Sequence, residues 1–187
     1  GGAIQLRLTA NLAMSGASCI VNSVGQYGGA IQLYLGAIDV TVSDGCAIVN
    51  STATFGSGAI SVQCANARLI VSNSSIVNSS SAQYGGALGV EDGTVRITRN
   101  SSIVNSSSTN GGAIAVNSGV VTVDGGSLIF GSSATSGGAL DMTGGDERQP
   151  AIARAKLGKE KEEQRVKGEA QAAAEMALAG LTAGGVT

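Results

Sequence analysis

The sequence has no histidine and no tryptophan, one proline, and only three tyrosines and two phenylalanines among 187 residues. Charged residues make up only 13% of the chain. No catalytic, cofactor-binding or metal-binding motif is recognisable in what remains, and no such residues are predicted. The net charge of -2 gives no support to nucleic-acid binding, which depends on clustered lysine and arginine.

Signals for export and membrane insertion are missing as well. There is no starting methionine, no basic segment followed by an apolar run, and no stretch of about 18 apolar residues, so no membrane span is expected. The chain opens inside a repeat unit, and we expect it to be a fragment of a longer protein. Low charge with 43% hydrophobic residues argues against disorder.

What the sequence does have is a short glycine-rich stretch that occurs six times. The copies read GGAIQL, GGAIQL, SGAISV, GGALGV, GGAIAV and GGALDM, and they begin at Gly1, Gly28, Ser57, Gly85, Gly111 and Gly137. Successive copies start 27, 29, 28, 26 and 26 residues apart. Such periods are typical of stacked units that are each too small to bury a core alone.

Each unit contains three strand-like runs. The GGAI run is followed by an alternating run such as Ile38 to Val42, and then by a run close to Ile-Val-Asn-Ser, as at Ile76 to Ser79. Helical periodicity, which ankyrin and tetratricopeptide units require, is absent before Gly145. We therefore predict an all-β fold over residues 1–145, a right-handed parallel β-helix of about six rungs with three strands each.

Residues at equivalent offsets in stacked rungs are expected to form columns. One outward column, at offset 11 from the start of each unit, is either a binding stripe or an exposed ion-pair row: Asp39, Arg68, Arg96 and Thr122. A second is expected to lie at a turn, where asparagine tolerates unusual backbone angles, and to form a ladder of hydrogen-bonded amides: Asn22, Asn50, Asn78 and Asn105. A third consists of aromatic rings that either pack together or bind sugar: Tyr27, Phe55 and Tyr84.

The three cysteines leave two possibilities open. Cys19 and Cys46 are 27 residues apart, about one repeat, so they are expected to lie one above the other. Their Cα atoms would then be about 4.8 Å apart, within disulfide range. The alternative is a pair of reduced, buried thiols, because free cysteine packs as a small hydrophobe. Cys64 is the odd member.

The composition changes abruptly after residue 145. All lysines of the chain lie in residues 146–187, a segment that is also rich in alanine and glutamate. Ala151 to Ala179 is predicted to form a helix, since Pro150 suits its start and Gly180 its end. We interpret this charged, Ala-rich tail as a linker, or as a cap for the open end of the solenoid.

The GGAI units resemble the repeats of chlamydial polymorphic outer membrane proteins, which are surface autotransporters with many GGAI and FxxN motifs. GGAI stands intact at Gly1, Gly28 and Gly111, and GGAL at Gly85 and Gly137, so the resemblance spans Gly1 to Met142. It implies an adhesin on the outer membrane or outside the cell, with glycans or cell-surface proteins as partners. More broadly, the repeats look like those of right-handed, pectin-lyase-like β-helix proteins.

Two classes of function follow. The first is a non-catalytic, surface-exposed or secreted solenoid that acts as an adhesin or a structural stalk. The alternative is a polysaccharide-active lyase or hydrolase, for which the fold alone is only an analogy. Hydrolysis needs paired carboxylates, and the neighbours Glu91 and Asp92 are expected to point to opposite faces of a strand. For lyase chemistry the only candidate is Arg68 beside Asp39.

Overall fold

The computed structural model of the protein describes residues 1–142 and the backbone of three short strands at residues 145–146, 149–150 and 152–155. No helix occurs among these residues. Most of the helix predicted for Ala151 to Ala179 lies outside the described residues. Its first part differs from the prediction, because Ile152–Ala155 form a strand. The predicted boundary at residue 145 and the tail's role as linker or cap stay predictions.

The chain winds through five complete rungs, and its strands are numbered in chain order. The first two rungs contain four strands each: β1 Ile4–Arg7, β2 Ala10–Met14, β3 Cys19–Val21, β4 Val24–Gly25, β5 Ile31–Tyr34, β6 Ile38–Ser43, β7 Ala47–Val49 and β8 Thr52–Ala53. In the next two rungs the first two strands merge into one: β9 Ile60–Ser72, β10 Ser75–Val77, β11 Ser80–Ser81, β12 Leu88–Thr98, β13 Ser102–Val104 and β14 Ser107–Asn110.

The fifth rung has separate strands again, and four strands follow it. These are β15 Ile114–Val116, β16 Val120–Val123, β17 Leu128–Phe130, β18 Ser133–Ser136, β19 Leu140–Met142, β20 Gly145–Asp146, β21 Gln149–Pro150 and β22 Ile152–Ala155. The sixth GGAI-type strand, β19, is thus present, but the IVNS strands and the strands after them occur five times in the described chain. The described solenoid therefore has about five rungs, where the repeat count predicts about six.

Strands of successive rungs pair in parallel, as the repeats predict. The GGAI strands stack in the order β1, β5, β9, β12, β15, β19 within a ten-stranded sheet that also holds the second strands. The IVNS strands form a five-stranded sheet, β3, β7, β10, β13, β17. The register aligns the motifs: Ile4 pairs with Ile31, and Ile31 with Ile60. The parallel β-solenoid is confirmed, while its right-handed winding stays a prediction.

The core is a set of aliphatic columns that run along the solenoid axis. Alternation sends every second residue of each strand inward. In the GGAI strands, Ile31 and Leu33 are fully buried, as are their equivalents in the next three rungs. The IVNS strands contribute Ile48, Ile76 and Ile103, also fully buried. Each rung therefore buries its apolar side chains mainly against the rungs above and below it.

A fourth short strand in each rung was not predicted. The strands β4, β8, β11, β14 and β18 form their own five-stranded parallel sheet, just before each GGAI motif. They are too short and too rich in serine and threonine to show an apolar alternation. These strands pack closely against the second glycine of the motif. A Cβ atom on Gly58 would lie 2.6 Å from the backbone of Ser80 in β11, so only glycine permits this approach.

The expected stacking of Cys19 and Cys46 is wrong. Cys19 pairs in register with Ala47, one residue beyond Cys46, so the two cysteine side chains point to opposite faces of the sheet. Cys19 is exposed, whereas Cys46 is 1% exposed and belongs to the core. All three cysteines are free thiols. The prediction assumed that residues 27 positions apart pair with each other, but Cys19 and its partner Ala47 are 28 positions apart because rungs differ in length.

Candidate functional site

The outer surface of the GGAI strands forms a groove along the solenoid axis. In each strand the residue between the two core positions points outward, so Gln32 lies between buried Ile31 and Leu33 but faces away from the core. We call the surface built on these residues the groove. Its floor is one register column: Gln5, Gln32, Ser61, Gly89 and Ala115.

A ladder of side-chain amides begins on the floor in the first two rungs and continues to the opposite side of the groove in the third and fourth. The Nε2 atom of Gln5 donates to Oε1 of Gln32 over 2.9 Å, and Nε2 of Gln32 donates to Oε1 of Gln63 over 2.7 Å. Nε2 of Gln63 then donates to Oε1 of Glu91 over 2.9 Å. Each amide donates to the residue in the next rung, and the last acceptor is the carboxylate of Glu91. Gln32 also accepts from the amino group of Gly1 and is only 4% exposed.

An aromatic rim borders the groove on one side. Tyr27 and Tyr84 line the cavities, and Phe55 lies in the same row beside Tyr27; each ring comes just before a GGAI-type motif and is between 43% and 49% exposed. The rings of Tyr27 and Phe55 are tilted by 39° with centroids 6.3 Å apart. The predicted aromatic column is thus present for this pair, and the exposure leaves ring faces free to contact a ligand.

The opposite rim is formed two residues beyond the floor position of each strand. It begins with Arg7 and Tyr34, which are register partners, with the guanidinium 5.6 Å from the centre of the ring. This distance is typical of a cation–π contact. Gln63 and Glu91 continue the rim in the third and fourth rungs. The rim is therefore cationic at its start and anionic in the middle.

Two adjoining cavities make up the groove. The first, of about 830 Å³, extends from Gln5 and Arg7 to Glu91, with Tyr27 and Tyr34 on its sides. The second, of about 250 Å³, is lined by Tyr84, Gly89, Ala115 and Asn117 and again by Glu91. Small floor residues in the later rungs keep it open. Glu91 is the residue that lines both cavities.

The predicted offset-11 column is not continuous. Asp39 and Arg68 are register partners, as expected, but Arg68 pairs next with Thr94, while Arg96 pairs with Ile70 and Thr122. The reason is a pair of register shifts between β9 and β12, because β9 carries two more residues than β12 over this stretch. These residues lie on the second strands of the rungs, outside the groove lining.

The ion pair of this surface is Arg96 with Asp124, where Nη2 and Oδ2 are 2.9 Å apart. It is the one salt bridge within the described part of the chain, and Asp39 and Arg68 do not form one there. The nearby Thr98 hydroxyl, followed by the Arg96 guanidinium, lowers the pKa of Asp124. The pair therefore stabilises the fold at neutral pH, and this contribution disappears as the pH falls through the lowered pKa. Since both side chains are partly exposed, it amounts to about 0 to 1 kcal/mol.

The predicted asparagine ladder is present in part. Asn22, Asn50, Asn78 and Asn105 all adopt φ between 52° and 56°, the left-handed region in which asparagine is tolerated. One amide bond links two of them, from Nδ2 of Asn50 to Oδ1 of Asn22 over 3.1 Å. Backbone conformation at the corner is thus the common requirement, and the ladder bond adds to it at one place.

The glutamine ladder went unnoticed in the sequence, although a signal was present. Gln5 and Gln32 share one offset, but Gln63 and Glu91 lie two positions later, so no single column contains all four. Long side chains bridge this diagonal. No cluster of three potential metal ligands occurs within the described residues. The part of the chain that the structure describes contains no membrane-spanning helix.

No family model, curated protein or solved structure matches this chain. The parallel β-solenoid rests on its own strand pairing and register. The residues and geometry of the groove are therefore the basis for assigning a function to this surface.

Proposed function

We propose that this protein is a non-catalytic β-solenoid, surface-exposed or secreted, that acts as an adhesin-like recognition module or as a structural stalk. One observation carries the proposal: two cavities that share Glu91 follow one another along the GGAI face, with a ladder of side-chain amides and exposed tyrosine rings in their lining. Concave surfaces of this kind, with few charges and a small number of placed polar groups, are typical of binding sites. A regular face also repeats its contacts from rung to rung.

The chemistry of the groove supports binding rather than turnover. Of the described residues that line it, Glu91 alone carries a carboxylate, and that carboxylate accepts a hydrogen bond from Gln63. Glycoside hydrolysis ordinarily uses two carboxyl groups on opposite sides of the scissile bond. The groove thus offers hydrogen bonds and ring faces to a ligand, without the second acid.

The likeness of the GGAI units to chlamydial polymorphic outer membrane proteins supports the same proposal. It favours a place on the outer membrane surface or outside the cell, with glycans or cell-surface proteins as partners. The proposal includes a right-handed solenoid whose sixth rung is completed beyond Met142, with a tail that becomes helical after the strand Ile152–Ala155 and acts as its cap or linker. A solenoid end needs such a cover, because open strand edges invite aggregation.

The full chain should be tested on a glycan array and on immobilised cells and matrix, in parallel with cleavage assays on acidic and neutral polysaccharides. We expect selective binding without release of shorter products. Turnover of any polysaccharide would contradict the non-catalytic assignment. Absence of binding to glycans, cells and matrix alike would count against the adhesin.

A polysaccharide lyase is the second candidate, and the register partnership of Asp39 and Arg68 favours it. A carboxylate and a guanidinium on adjacent strands are the minimal pair that such chemistry requires. If this candidate is correct, Arg68→Ala and Asp39→Ala abolish cleavage of acidic polysaccharides while the denaturation midpoint stays unchanged. Cleavage that persists in both variants would place the reaction elsewhere.

A further inference from the structure

We propose that the groove binds a neutral, hydroxyl-rich oligosaccharide that lies along the solenoid axis. The floor supplies hydrogen bonds through the amide ladder, and the Tyr27 and Tyr84 rings supply flat apolar faces. This inference rests on the proposed recognition function and assigns it to one surface and one class of ligand. Calorimetry with defined hexamers tests the neutral-glycan site independently of the recognition function.

The dimensions of the groove suit a chain of several sugars. Its lining runs from Gln5 in the first rung to Asn117 in the fifth. Four rung spacings of about 4.8 Å give a length of roughly 19 Å. Because Glu91 lines both cavities, a ligand that spans them passes close to this residue.

The ladder is chemically suited to hydroxyl groups. Each amide nitrogen has two hydrogens, and the ladder bond uses one of them, so Gln5 and Gln63 each keep a donor for a ligand, whereas Gln32 is 4% exposed and holds the ladder together. Glu91 accepts from Gln63 through Oε1 and has a second oxygen that can accept from a ligand. A sugar hydroxyl both donates and accepts, so it can bond an amide oxygen, an amide hydrogen or the carboxylate.

An extended peptide would find little to bind here. Peptides commonly add to a sheet through unpaired backbone groups at an edge. Under the groove, β5, β9, β12 and β15 pair through their backbones with strands on both sides, and within the described chain β1 alone has an unpaired edge there. Beyond β1 the groove therefore presents side chains instead of a strand edge.

Charge selects against acidic sugars. The carboxylate of Glu91 lies where the two cavities meet, while Arg7 lies three rungs away at one end and is already in contact with the Tyr34 ring. Three rung spacings of about 4.8 Å exceed the screening length of about 10 Å at ordinary salt, so Arg7 does not offset the charge of Glu91. A uronic acid over the middle of the groove would meet a like charge.

The test is titration calorimetry of the full chain with neutral hexose hexamers of glucose, mannose, galactose and N-acetylglucosamine, and with the galacturonate hexamer. We expect at least one neutral hexamer to bind about tenfold tighter than galacturonate, because the carboxylates of galacturonate and Glu91 repel each other within the site. Glu91→Gln keeps the shape and removes the charge. It should therefore bring the two affinities to within about threefold of each other.

Two further variants locate the ligand. Gln63→Ala removes a member of the ladder and Tyr27→Ala removes a ring, and each should weaken binding of the neutral hexamer about tenfold. Asp44→Asn and Phe130→Ala are matched controls, since both residues are exposed and lie outside the groove. They should leave the affinity unchanged. Equal denaturation midpoints establish that all variants fold.

The outcomes separate the two proposals. Tighter binding of galacturonate, or loss of affinity in the controls as large as in the groove variants, overturns the neutral-glycan site. Binding to cells or matrix without binding to any hexamer also overturns it, while the recognition function stands. No binding to cells, matrix or hexamers overturns both.

Discussion

At the scale of single residues, the corners of this solenoid are decided by backbone conformation. The four asparagines of the IVNS runs have positive φ, and in the fifth rung Gly131 takes the equivalent place with φ of 66°. Asparagine and glycine are the residues that adopt this region at least cost. The sequence pattern thus identified the corner correctly, although it assigned the asparagines mainly to a ladder.

We predict that Asn50→Ala destabilises the protein by about 1 to 2 kcal/mol, because alanine in the left-handed region carries a Cβ penalty. Asn50→Gly accepts the same backbone and loses only the bond to Asn22, so it should cost about 0.5 to 1 kcal/mol. Urea denaturation followed by circular dichroism measures both free energies of unfolding.

Asn105 provides the matched control for the ladder bond. It has the same conformation, with φ of 52°, but it makes no side-chain hydrogen bond to a neighbouring asparagine in the described part of the chain. Asn105→Gly should therefore leave stability within about 0.5 kcal/mol of wild type. If Asn50→Gly and Asn105→Gly have equal effects, the amide bond to Asn22 contributes nothing.

At the scale of the structural element, the GGAI motif is a junction between two strands as well as the start of one. Its second glycine lets the chain pass close to the short strand that ends the same rung, and its alanine is buried in the core, as Ala59 and Ala87 show. The isoleucine and the residue two places later then begin the apolar alternation. One motif therefore determines a corner, a close backbone approach and a core column.

We predict that Gly58→Ala costs about 3 kcal/mol or more, because the added methyl group clashes with the carbonyl oxygen of Gly86 and with the backbone of Ser80. Backbone atoms held on both sides by strand pairing cannot move aside as the end of a side chain can. Thermal and urea denaturation of the full chain measure the loss.

Gly138 occupies the same motif position in the last GGAI-type unit, but a Cβ atom there would lie 4.0 Å from its nearest neighbour among the described residues, the Ser132 carbonyl oxygen. Gly138→Ala should therefore change stability by no more than about 0.5 kcal/mol. A loss as large as that of Gly58→Ala would show that the motif glycine is required for a reason other than close packing.

At the scale of the whole molecule, stability is distributed along one axis. Contacts link neighbouring rungs, so each rung depends on the one before and the one after it. Ile48, Ile76 and Ile103 are fully enclosed, whereas Ile20 and Ile129, in the first and fifth rungs of the same column, are only partly buried. A given core residue should thus matter most in the middle of the described solenoid.

We predict that Ile76→Ala lowers the free energy of unfolding by about 2 to 5 kcal/mol, the range for a fully buried residue that leaves a cavity. Ile20→Ala should cost less than half as much, since Ile20 has a packed neighbouring rung on one side only. Urea denaturation gives both values. Equal losses would mean that the first rung is packed as tightly as the third.

The sequence by itself determined the parallel solenoid, its GGAI and IVNS strands, its aliphatic core columns and its asparagine corners. These features follow from the alternation of apolar and polar residues and from the regular repeat period, and every repeat unit carries the same pattern. Only the tertiary structure decided the short fourth strand, the opposite faces of Cys19 and Cys46, and the partner of Arg96. It also decided the ladder from Gln5 to Glu91, and hence the groove. All of these depend on register, which unequal rung lengths shift by one or two residues, and a shift of one residue turns a side chain to the other face.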